Sequence, residues 1–199
     1  MKSVLIASLS FIFLIAFNHQ SSLTKNALLT CILQSDKTKY KVGELPDFKV
    51  EIANNTGKDI YLIGSLDGSD MKWRMPYCYF TIQKPKPDTL QLGRCGNLNT
   101  LRPTDFRLVK ASTKFNPYES LDEYGFFTDF TTTNSETFKN PGVYKIQFHY
   151  CTHSQDIKDF IGDRPIHQDK AKTQNLISLL KQVPKVDIVS NEIEITVDD

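Results

Sequence analysis

Val143-Tyr144-Lys145-Ile146-Gln147-Phe148-His149-Tyr150 is the stretch that decides how this chain folds. Tyr144, Ile146, Phe148 and Tyr150 fall at even positions, with Lys145, Gln147 and His149 between them. A period of two marks a strand with one buried and one wet face. Phe48-Lys49-Val50-Glu51-Ile52 alternates in the same way, and Glu192-Ile193-Glu194-Ile195-Thr196-Val197 closes the chain likewise. Residues 59–63, 77–82, 90–92 and 106–109 read as further short strands. Turn clusters punctuate them: Asn54-Asn55-Thr56-Gly57, Asp67-Gly68-Ser69-Asp70, Asn116-Pro117 and Asn140-Pro141-Gly142. Short alternating strands with such punctuation predict a mostly β chain, an antiparallel β-sandwich whose sheets are each wet on one face.

One segment breaks the rhythm. Over 169–183 the apolar residues Leu176, Ile177, Leu179, Leu180 and Val183 recur at helical spacing, with Lys170, Lys172, Gln174 and Lys181 between them. Pro184 ends the run. This predicts one short amphipathic helix in an insertion at about 152–185, before the last strand, with its stripe against a sheet edge. Removing 166–183 is then expected to leave the sheets folded. The closing strand moves its apolar side from even (Val186, Ile188) to odd (Ile193, Ile195, Val197), which predicts a bulge near Ser190-Asn191. Tyr144, early in its strand, sets a phenol where its hydroxyl can tie a corner.

The 199 residues carry 24 Lys+Arg against 23 Asp+Glu, with 40% hydrophobic and 11% aromatic residues. That composition suits one folded domain and gives no electrostatic footprint for nucleic acid or an acidic membrane. Met1-Lys2-Ser3 leads into an uncharged apolar run over 4–17, the plan of a secretory signal peptide. A spanning helix needs about twenty apolar residues, so no permanent membrane anchor is expected. The expectation is a signal peptide over 1–21, cut somewhere between Asn18 and Ser22, then a single domain over 22–199. Its address is the periplasm or the extracellular space.

Four cysteines, Cys31, Cys78, Cys95 and Cys151, favour disulfides in an exported chain. Residues 77–84 and 90–95 read as a hairpin turning at Pro85-Lys86-Pro87-Asp88. Pairing Ile82 with Leu90 sets Cys78 opposite Arg94, and a bulge at Gly93 brings Cys95 to face Cys78. Cys78–Cys95 is therefore the first pairing, which leaves Cys31–Cys151 by subtraction. Cys151 lies on the polar side of its strand, which weighs against that second bond.

Several short motifs carry a resemblance. Tyr40-Lys41-Val42-Gly43-Glu44-Leu45-Pro46, followed by the strand and Asn54-Asn55-Thr56-Gly57, resembles the opening of exported bacterial immunoglobulin-like domains. Phe115-Asn116-Pro117-Tyr118-Glu119-Ser120 is similar to their mid-chain proline turn, with Tyr118 where glycine is usual. Pro141-Gly142-Val143-Tyr144-Lys145-Ile146 is similar to the start of their penultimate strand, and Val189-Ser190-Asn191-Glu192-Ile193-Glu194-Ile195 to their final one. The resemblance implies an immunoglobulin-like fold, which by itself names no function.

His149, Cys151 and His153 share one strand side, but the two histidines lie about 13 Å apart along it, too far to share an ion with ligands at about 2 Å. Asp67-Gly68-Ser69-Asp70 lacks the later acids of a calcium loop, and Asp122-Glu123 reads as a solvated pair. There is no Gly-x-Ser-x-Gly elbow and no His-Glu-x-x-His helix. The expectation is a non-enzymatic binding protein without cofactor or metal, acting on a protein or glycan through its loops. Trp73 and Arg74 in Met71-Lys72-Trp73-Arg74-Met75, with Tyr118, Tyr124, Phe126 and Phe127, form the candidate contact surface. A peptidase inhibitor using 106–124 as an exposed loop is the alternative, and an enzyme of another class the second.

Overall fold

A computed structural model describes residues 28–64, 72, 74–86, 101–117, 137–154, 156–160 and 170–199. Among them the chain is mostly β, with ten strands and one α-helix. The decisive stretch lies in β8 (Gly142–Cys151), the spine of a five-stranded sheet. β8 pairs antiparallel with β5 (Tyr77–Gln83) on one edge and with β9 (Asp187–Val189) and β10 (Ile193–Asp198) on the other. Its even residues Tyr144, Ile146, Phe148 and Tyr150 are all fully buried, as the alternation requires. A three-stranded sheet holds β1 (Leu29–Ser35), β3 (Phe48–Asn54) and β7 (Lys114–Phe115), and a two-stranded one pairs β4 (Ile60–Ile63) with β6 (Phe106–Val109). Phe48 of β3 lies 5.6 Å from Phe80 of β5, ring to ring, and Phe80 lies 5.1 Å from Phe148. One apolar core thus draws on every sheet.

The Tyr144 hydroxyl donates to the Asn140 carbonyl at 2.8 Å, closing the corner before β8. Gly142 stands inside that corner at φ +137°, and a Cβ there would lie 2.6 Å from the Pro85 Cβ. Both the backbone and the space therefore demand glycine.

The bulge is where the alternation places it. Ile188 faces Tyr150 and Val189 faces His149, a register that would bring residue 192 opposite Ile146. Ile193 stands there instead, so one extra residue sits between β9 and β10. Ser190 satisfies Phe148 through the gap: its N–H donates to the Phe148 carbonyl at 2.8 Å, and its Oγ accepts from the Phe148 N–H at 2.9 Å. Asn191 turns toward the other sheet. Its Oδ1 accepts from Leu33 N–H at 2.9 Å and its Nδ2 donates to the Leu33 carbonyl at 3.1 Å, so one side-chain amide pairs with β1 as a strand would.

Two elements differ from expectation. β2 (Lys39–Lys41) runs parallel to β10, not antiparallel. The two are far apart in sequence, so no hairpin dictates their sense. Tyr40 holds the crossing between sheets through hydroxyl bonds to the side chains of Ser35 and Asp36. The insertion helix α1 (Lys170–Leu180) forms as its spacing predicts. Its stripe builds a second core with Phe160, Met75, Leu101, Ile63 of β4 and Phe106 of β6, a deeper engagement than an edge contact.

Candidate functional site

Of the expected contact residues, Trp73, Tyr118, Tyr124, Phe126 and Phe127 lie outside the described residues, as does Cys95 and with it the Cys78–Cys95 pairing. Arg74 is described, and it is a correction. Its side chain is fully buried, with Nη1 donating to the Met75 carbonyl at 3.0 Å, so it offers nothing to a partner. The Cys31–Cys151 bond is also absent: both remain thiols. Cys31 points into the main core from β1, while Cys151, at an odd position of β8, packs on the second core behind the sheet. Burial pushes the Cys31 thiol up to about 12, which keeps it a buried apolar group. Within the described part of the expected inhibitor loop, 106–109 form β6, paired with β4, and 114–115 form β7, paired with β3.

The strand holding His149 and Cys151 spends those side chains elsewhere. The His149 ring stacks on Tyr79 at 4.6 Å and 5°, and its Nε2 shares a hydrogen bond with Thr81 Oγ1 at 3.0 Å. Cys151 Sγ accepts from the His153 N–H at 3.5 Å.

That stack belongs to a larger arrangement on the outer face of the five-stranded sheet. Register sets three side-chain pairs along it, Tyr79 with His149, Thr81 with Gln147 and Gln83 with Lys145. On the far side of β8 the bulge interrupts the ladder opposite Gln147, whose Nε2 reaches the Ser190 carbonyl at 3.4 Å. A trough lies over β5 and β8, and Glu192, just past the bulge, borders it. The cavity measures about 480 Å³ and is lined by Tyr79, Thr81, Gln83, Lys145, Gln147 and Glu192, with Phe80 and Ile82 contributing from β5. Its size falls in the range of small-molecule sites, about 300–1,000 Å³.

The charges around the trough are largely matched. Lys145 Nζ lies 3.2 Å from Glu194 and 3.4 Å from Glu192, and these carboxylates, Glu194 first, hold its ammonium above the ordinary lysine range. Lys72 sits over the Tyr79 ring at 5.8 Å. Burial depresses the His149 imidazole below its ordinary 6.5, with Lys72 lowering it further and Asp187 opposing. The folded state therefore holds fewer protons than the unfolded chain just below pH 6.5, and stability falls as pH drops through that window toward the folded value. An NMR titration of the His149 ring protons is expected to show a midpoint below 6.5; a midpoint above it would mean that Asp187 dominates.

The sequence displayed these residues as the wet side of two strands and gave no reason to join them. Tyr79 and His149 are seventy residues apart in number, and the pairing expected for β5 was with 90–95. The change of apolar side at 188–193 marks only the trough's Glu192 border; the rest needs β5 beside β8. Compared with protein-family models, with curated proteins and with solved structures, the chain matches none.

Proposed function

We propose that this chain is an exported, non-enzymatic immunoglobulin-like β-sandwich that works by binding a protein or a glycan. Support for the fold comes from the sheet orders β1-β3-β7 and β2-β10-β8-β5, and from the Tyr144 corner at the head of the penultimate long strand. Support for export is the lysine and apolar run of 1–17. The trough over Thr81 and Gln147 carries the binding reading: it gathers aromatic, hydroxyl, amide and paired charged side chains on an open sheet face. Trp73, Tyr118, Tyr124, Phe126 and Phe127 stay in the proposal as a second contact region; buried Arg74 leaves it.

The test is capture from the producing organism's envelope and culture fluid by the exported protein, beside a Thr81→Arg/Gln147→Arg variant. Retention at least tenfold lower on the variant is the expected result. Equal retention on both proteins would defeat the trough as the contact surface.

A further inference from the structure

We infer that the trough on the outer sheet face is a subsite for a neutral oligosaccharide. This rests on the binding reading above and names its ligand class. Thr81, Gln83, Gln147 and the Tyr79 phenol can each donate and accept hydrogen bonds, and sugar hydroxyls need both. An apolar ligand would strip water from these groups and return nothing, at a cost for each one left unmade. Formal charge points the same way. Lys145 stands between two carboxylates, so an anionic ligand meets excess acid at that end, while Lys72, 5.8 Å from the Tyr79 ring centre, offsets it for the face as a whole.

His149 stacks on one face of the Tyr79 ring and Lys72 Nζ lies 5.8 Å from its centre, so the phenol hydroxyl, not a ring face, is the group that meets the sugar. Recognition then rests on hydrogen bonds, each exchanged against water. The expected dissociation constants are accordingly weak, about 0.1–1 mM for a tetrasaccharide.

The experiment is isothermal titration, with NMR of the glutamine side-chain amides, on the exported protein. The probes are cellotetraose, chitotetraose and maltotetraose, with tetragalacturonate as the anionic comparison. Thr81→Val/Gln147→Leu removes the polar floor, and Val42→Ser, at an exposed position on another part of the surface, serves as control. Circular dichroism of each variant confirms folding. The expected result is binding of at least one neutral tetrasaccharide, weakened tenfold or more in the double variant and unchanged in Val42→Ser. Binding indifferent to the double variant, or tighter binding of tetragalacturonate, would overturn the inference. If no sugar binds but the capture experiment still returns a partner lost in the arginine variant, the glycan assignment falls and the binding reading stands. If both are silent, both fall.

Discussion

Asn54→Asp is expected to lower stability by about 3–5 kcal/mol, the size of effect seen when a buried charge is left uncompensated. Asn54 ends β3 and is fully buried. The two hydrogens on its Nδ2 are shared among three carbonyls, those of Lys58 at 2.9 Å, Val109 at 3.0 Å and Lys110 at 3.1 Å. Its Oδ1 accepts from Thr56 N–H at 3.1 Å and Thr56 Oγ1 at 2.7 Å. One amide thus ties the end of β3 to its own turn and to the end of β6. Aspartate has the same shape and keeps the accepting side, but it turns a carboxylate oxygen toward three carbonyl oxygens. Asn54→Ala loses the donor bonds and the two accepted from Thr56 as well, but adds no charge, and is expected to cost about 1–3 kcal/mol. Urea unfolding of both variants separates the two contributions, and an aspartate variant no worse than the alanine one would show that the carbonyls find other donors. The same geometry bears on the Asn54-Asn55-Thr56 sequon. A glycan on Nδ2 would have to replace these bonds inside the protein, so the folded chain is expected to carry none there.

What could be read from the sequence was whatever repeats locally. The alternation of 143–150 names the buried residues of β8, and the change of apolar side after Ile188 names the bulge. The run from Leu176 to Val183 names the helix. Tyr144 and its corner follow from one phenol placed early in an apolar strand. Other features depend on partners that no local pattern specifies. β2 and β7 have three and two residues, too few for a period. Arg74 reads as surface beside Lys72 because arginine is seldom fully buried, and only the fold reveals that it is covered. The trough needs β5 beside β8, a pairing between segments far apart in sequence. The Cys31–Cys151 bond came from counting thiols, whereas the two side chains point to opposite sides of the five-stranded sheet's spine.

The insertion gives the second large effect: Phe160→Ala is expected to cost about 3–5 kcal/mol. Phe160 ends a short 3-10 turn, Ile157–Phe160, and is almost wholly buried. The turn is fastened beside its ring, because Met75 N–H donates to the Asp159 carbonyl at 2.6 Å, and Lys185 Nζ lies 5.0 Å from the ring centre. The ring shares one cluster with Leu176, Leu180 and Val183 from the insertion, and with Ile63 and Phe106 from β4 and β6. An eleven-residue helix is marginal by itself in water, so packing against this cluster is what holds α1. Read as an appendage, the helix would melt first in the variant and leave the sheets intact. Ile63 gives the opposite expectation, because its backbone N–H and carbonyl both bond the buried Tyr150 hydroxyl at 3.1 Å, which links the second core to β8 and so to the first. Helix loss at 222 nm and loss of aromatic signal in the near ultraviolet are therefore expected to follow one shared transition, moved to lower urea. Two separated transitions, the helix melting before the sheets, would show that the cores are independent and that the insertion is dispensable after all.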